Sequence, residues 1–137
     1  MNKACPVILR KIDDELEILA FEHPLAGRQL VKGTIEKDEP LVDACVRELA
    51  EESGLAAYPY IMLGVWDTGF ENQVWGFYLM TYEGNLPEAW EFYTNDGGGH
   101  LFKFFWQPLS QHLNSSWHPL FIGAVEFIRK ALVKISV

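Results

Sequence analysis

Residues 33–55 read GTIEKDEPLVDACVRELAEESGL, with three carboxylates, Glu48, Glu51 and Glu52, crowded near the end. The pattern predicts a helix over Glu39–Ser53. Pro40 suits a first helical turn, where its missing N–H costs nothing. Asp38 and Glu39 favour the positive N-terminal end. Gly54 can take the left-handed conformation that ends a helix, with Leu55 folding back on the last turn. Val42, Cys45, Val46 and Leu49 recur at helical period and form the expected buried face. At 100° per residue, Glu52 falls roughly 20° from Cys45, Glu48 about 40° further round and Glu51 about 60° beyond that. The acids therefore fan from the margin of the buried face toward solvent. Exposed like charges at such spacings repel by a few tenths of a kcal/mol per pair. Either this is a solvated charge run, or divalent cations cancel the repulsion. Carboxylate oxygens at i and i+4 suit Mg²⁺ or Mn²⁺.

The rest of the chain is consistent with one domain. It has 137 residues, 49% of them hydrophobic, enough to bury a core. The net charge of −8 argues against non-specific nucleic-acid binding, which relies on Lys and Arg. Cys5 and Cys45 supply neither a disulfide framework nor a zinc spacing and read as reduced, structural thiols. The apolar start is too short for a signal peptide and no apolar run has membrane-spanning length, so a cytoplasmic protein without membrane contact is expected.

Cys5–Lys11 and Leu16–Phe21 read as strands separated by Asp13-Asp14. His23–Arg28 reads as a loop and Gln29–Lys32 as a short strand. Tyr58–Trp66 and Gln73–Tyr82 read as strands joined by a turn at Asp67–Asn72. The second is apolar on both faces and so is expected to be covered on both. Glu83–Gly99 reads as a long polar loop, Leu101–Trp106 as an aromatic strand, and the stretch from Pro119 to about Lys134 as a final helix. The order suggests a mixed sheet between helices.

The opening stretch also resembles the Nudix box, G-x5-E-x7-R-E-U-x-E-E-x-G-U, where U is aliphatic. Gly33, Glu39, Arg47, Glu48, Leu49, Glu51, Glu52, Gly54 and Leu55 match all nine specified positions. On this resemblance the chain is similar to a Nudix hydrolase. The resemblance implies an α/β fold, an α/β/α sandwich with a mixed sheet, as a single domain over 1–137. The implied activity is cleavage of a pyrophosphate bond in a nucleoside diphosphate derivative or nucleoside triphosphate, with Mg²⁺ or Mn²⁺. By the same resemblance, Glu48 and Glu52 would be the principal metal ligands, Glu51 a further or water-mediated one, and the Gly33 carbonyl would complete the site. Glu48, Glu51 and Glu52, with Arg47, form the implied catalytic set. Glu48 or Glu51 is the first candidate for the base, Arg47 would orient Glu48 or Glu39, and Glu39 would brace the loop against the helix.

Some relatives carry an extra acid before a late-strand Trp. Here Phe105 precedes Trp106. Other acids are Glu83, Glu88, Glu91 and Asp96, and Asp96, before three glycines, is either an acid closing over the site or a turn residue. Arg28 and Lys32 could reach a phosphate or be ordinary surface charge. Trp66, Phe70, Trp75, Trp90 and Tyr93 could stack on a base or belong to the core. The four histidines form no metal spacing, and only His100, after the glycines, draws notice. Markers of the ADP-ribose, dinucleoside-polyphosphate, NADH and coenzyme A subfamilies are absent, so the substrate stays open. The expected partner is a small phosphorylated nucleotide, with a homodimer through the final helix as an option. Two alternatives stand beside the enzyme: a non-catalytic nucleotide sensor, which would tend to lose box glutamates, and an RNA 5′-end pyrophosphohydrolase, which the charge disfavours.

Overall fold

The computed structural model describes residues 1–95 and 98–135. Its sheet is organised by β1, Lys3–Ile12, which changes neighbours along its length. Over Lys3–Ile8 it runs parallel to β6, Val74–Thr81. Over Leu9–Ile12 it pairs antiparallel with β2, Glu15–His23. Asp13 and Asp14, both at positive φ, form the tight turn between β1 and β2. The remaining strands are β3 (Gly27–Gln29), β4 (Gly33–Thr34), β5 (Tyr58–Asp67), β7 (Trp90–Thr94) and β8 (His100–Pro108). The sheet order is β5-β6-β1-β2-β8-β7, with β3 on β2 and β4 on β1.

Two helices cover the faces: α1, Leu41–Ser53, and α2, Pro119–Ile135. Alternation along the strands divides the core between them. Cys5, Val7, Trp75 and Phe77 pack with Phe121, Val125 and Ile128 of α2. Ala4, Ile8 and Met80 pack with Leu41, Ala44, Cys45 and Leu49 of α1. Apolar residues on both faces of β6 thus meet a helix-backed core on each side, as expected. No helix among the described residues is long and apolar enough to cross a membrane.

The structure departs from the sequence reading at the short strand, which is Gly27–Gln29 rather than Gln29–Lys32, and in three further places. The helix starts at Leu41, because Pro40 takes an extended ψ of 149° and stands outside it as the N-cap. Its buried residues are Leu41, Ala44, Cys45, Glu48, Leu49, Glu52 and Ser53, while Val46 is exposed. The helix is thus rotated toward Glu48 and Glu52, which lie within the covered face, while Glu51 stays exposed. Third, the polar loop contains β7. Trp90 stacks on Phe104 at 5.0 Å and Phe92 packs in the core cluster under α1, while Glu91 and Tyr93 face outward. That is a period-two pattern in WEFYT, concealed by the polar residues around it. Asp96 lies outside the described residues.

Candidate active site

The three acids sit in the last turns of α1, where the helix dipole is negative and the last turn has no basic residue. Glu48 and Glu52 are 5% and 8% exposed, one turn apart on the buried face. Three unfavourable effects therefore coincide: desolvation, mutual repulsion and the dipole. Glu51 is exposed.

Arg47 compensates Glu48 and Glu51. Its Nε and Nη2 donate to the two Glu39 carboxylate oxygens at 2.8 Å each, a bidentate grip. Nη1 donates to Glu48 at 2.8 Å and to Glu51 at 3.3 Å. Nη2 also donates to the Thr34 carbonyl at 2.9 Å. Glu39 in turn accepts the Glu36 backbone N–H at 3.0 Å. Arg47 and that backbone bond hold the Glu39 carboxyl down at about 2, and the same acids raise the Arg47 pKa. One guanidinium thus ties β4 to three of the four box glutamates, Glu39 before the helix and Glu48 and Glu51 on it.

Gly33 faces this cluster from the sheet. It pairs with Ala4 in the β1–β4 ladder. A Cβ built there would collide with the Glu48 carboxylate. Its φ is not positive, so close approach, rather than backbone conformation, requires glycine.

Lys32, adjacent in sequence, is half-buried, with Nζ 5.2 Å from the Trp75 ring centroid and 5.8 Å from that of Phe121. Burial lowers its pKa most and Lys3 adds to that, while Cys5, Glu52 and Glu48 pull it up. Lys32 thus lies in the field of the carboxylates. Arg28 is placed elsewhere, with its guanidinium 4.6 Å over the Phe105 ring and 4.0 Å from Glu22. Trp66, Trp75 and Trp90 pack in or against the core, while Phe70 and Tyr93 are exposed. His100 lies against His23, ring centroids 4.7 Å apart. Cys5 and Cys45 are buried free thiols; burial raises both, Cys45 to about 12, which makes them poor nucleophiles.

One residue at this end of the helix had no place in the sequence reading. Thr94, on β7, donates its hydroxyl to the Glu51 carbonyl at 3.1 Å. Together with Phe92 against Gly54, it fixes the turn that carries Glu51 and Glu52. The alternation in WEFYT was the only available signal for it.

Residues 3–122 match the family profile described as the NUDIX domain. The chain belongs to that family. No curated protein sequence matches it. Among solved structures, an ADP-ribose pyrophosphatase from Streptococcus suis 89-1591 superposes with a TM-score of 0.69 at 16% identity, covering 98% of this chain and 91% of that one. The NUDIX domain of Shewanella oneidensis NrtR, complexed with ADP ribose, gives 0.66 at 22% identity, with 95% and 86% coverage. A C. elegans Ap4A hydrolase gives 0.68 at 16% identity, with 98% of both chains covered. At these identities the likeness establishes the fold. Membership in the family, with its box intact, makes the chain a Nudix pyrophosphohydrolase.

Nudix hydrolases generally use divalent cations. Carboxylate oxygens such as those of Glu48 and Glu52 are hard donors of the type such a cation takes. The glycine at 33 leaves Glu48 against the backbone of β4. Among the described residues, however, no three His, Cys, Asp or Glu side chains are gathered closely enough to hold an ion as they stand. Arg47 occupies one oxygen each of Glu48 and Glu51.

Proposed function

We propose that this Nudix domain cleaves the pyrophosphate bond of a nucleoside diphosphate derivative or nucleoside triphosphate, by attack of water at phosphorus. Glu48 and Glu52 would hold Mg²⁺ or Mn²⁺, with Glu51 as a further ligand and the Gly33 carbonyl completing the set. The cation would neutralise the diphosphate and acidify a bound water. The observation that carries this reading is the burial of Glu48 and Glu52 one turn apart at the negative end of α1. Carboxylate oxygens one turn apart are hard donors of the kind a divalent cation takes, and a cation held there would face an anionic substrate.

The chain's own residues divide the remaining work. Arg47 fixes the rotamer of Glu48 and draws Glu51 toward it. Glu39 holds Arg47 and thereby joins the loop before the helix to the acids. Glu48 or Glu51 takes the proton of the attacking water, since a carboxylate in hydrogen-bond reach of that water suffices. Lys32, adjacent in sequence to Gly33, is the first candidate of the two cations to meet a phosphate oxygen. Arg28, over Phe105, is the weaker candidate.

The test is product release from a panel of nucleoside triphosphates, dinucleoside polyphosphates and nucleoside diphosphate sugars with Mg²⁺, native protein against Glu52→Gln. Turnover lost by at least about a hundredfold in the variant, with the fold intact, is the expected result. Binding of a nucleotide with no turnover across the panel would replace the enzyme by a nucleotide sensor.

A further inference from the structure

The α1 helix covers only part of its face of the sheet. Beyond it, toward the C-terminal end of β1, lies a cavity of about 560 Å³, within the usual range for small-molecule sites. Its lining includes Ile8 and Ile12 of β1, Tyr60 of β5, Met80 of β6 and Trp106 of β8, and no residue of α1. Arg10, in this cavity, lies six residues along β1 from the Gly33 pairing position, about 20 Å at strand rise. The site is therefore separate from the glutamates.

Its polar centre is Arg10. The guanidinium lies 4.6 Å over the Trp106 ring, and Nε donates to Glu17 at 2.7 Å. Nη1 and Nη2 donate to the two oxygens of Glu88 at 2.8 Å each, and Nη2 also lies 2.7 Å from the Glu17 oxygen. Glu17 is a half-buried neighbour on β2. Glu88 differs: its side chain is 82% exposed, and it belongs to the irregular segment 82–89 that closes the cavity. A second tie, from Trp106 Nε1 to the Pro87 carbonyl at 3.1 Å, holds the same segment. Tyr60 is 67% exposed at the rim.

From this we infer a second ligand site, for a small molecule with a planar aromatic ring and one oxyanion group. Glu88 acts as the internal stand-in for the oxyanion. A bidentate Arg fork binds carboxylate and phosphate alike. The aromatic ring has Tyr60, Tyr82 and the apolar sheet floor to lie against. A ligand oxyanion displaces Glu88 and keeps Arg10 paired, so no charge is left buried alone. The exposed Glu88 carboxylate returns to water at little cost.

The experiment monitors the Trp106 indole N–H by ¹⁵N NMR in the full chain, assigned with Trp106→Phe. Adenosine monophosphate and indole-3-acetate are the phosphate and carboxylate arms, and adenosine is the uncharged control. At least one anion should shift the Trp106 signal while adenosine does not. Glu88→Gln should tighten that binding about 2- to 5-fold by weakening the internal competitor. Arg10→Lys, which keeps the charge but loses the fork, should weaken it about tenfold. Glu52→Gln should leave it unchanged, which separates this site from nucleotide held at the glutamates. No Trp106 shift with either anion at about 10 mM, in native protein and Glu88→Gln alike, overturns the proposal. So does binding that ignores both Arg10→Lys and Glu88→Gln.

Discussion

Gly33→Ala isolates the contact on which the arrangement of the glutamates turns. The backbone at 33 is not left-handed, so alanine is conformationally allowed. Elsewhere such a change would stabilise by about 0.4–1 kcal/mol through the unfolded chain. Here the new methyl overlaps the carboxylate of Glu48. Pairing with Ala4 holds the strand, so the carboxylate must move. Overpacking of this kind costs about 1–3 kcal/mol, and losing the 2.8 Å bond from Arg47 falls in a similar range. Since moving the carboxylate also relieves the overlap, the two are alternatives more than a sum, and about 2 kcal/mol is expected. With an m-value of about 2 kcal/mol/M, the urea midpoint should fall by about 1 M. The control is the same change in a Glu48→Ala background, where the obstruction is gone and alanine at 33 should be neutral or slightly stabilising. The double-mutant cycle should therefore give a coupling of about 2 kcal/mol or a little more. An equal cost of Gly33→Ala in both backgrounds would refute the reasoning, because the glycine would then be serving something other than Glu48.

The same geometry sets three further outcomes. Arg47→Met should destabilise by about 1–3 kcal/mol in urea at pH 7, since it strips partners from Glu39 and Glu48 and frees the Thr34 carbonyl. The gap should narrow with acid: the Glu39 pKa is depressed from 4.5 to about 2, so its share is present above 4.5 and is lost as pH falls toward 2. A gap that widened between pH 5 and 2 would contradict that sign. Thr94→Val, nearly isosteric, removes the hydroxyl bond to the Glu51 carbonyl and should cost about 1 kcal/mol, with a fall in kcat if the last turn of α1 positions catalytic acids. Gly54→Ala, at φ 77° and against Phe92, should cost about 1 kcal/mol or more by thermal melting, in contrast to the allowed backbone of Gly33.

The layered architecture was legible because its signals are local and repeated. Strand alternation, the double apolar faces of β6 and the box spacing each carry the information within a few residues. Two features were not. The WEFYT strand depends on Trp90 finding Phe104, a partner that a window around residue 90 does not contain. The rotation of α1 depends on what the sheet offers it. Periodicity placed Val46 inside because it is apolar, yet the structure exposes Val46 and buries Glu48 and Glu52. A hydrophobic stripe cannot disclose that a glycine on another strand leaves room for a carboxylate.

That inversion bears on how the site works. A helix free to maximise apolar burial would turn Val42 and Val46 inward and let the acids go to solvent, as the sequence pattern suggests. Instead Arg47 holds Glu48 beside Gly33 while bridging to Glu39 and the Thr34 carbonyl, which belong to the loop and strand before the helix. The guanidinium fixes the rotation of α1 against β4, and the cost of burying the acids is set against those hydrogen bonds and any cation bound there. Stability and metal affinity are then linked: a divalent ion that binds the folded acids raises stability by RT ln(1 + [M]/Kd). Native protein should therefore melt higher with Mg²⁺ or Mn²⁺ than in chelator, and Glu52→Gln should lose that increment. An equal rise in the native protein and in Glu52→Gln would mean that the ion binds elsewhere, and the case for a cation at this end of α1 would fall with it.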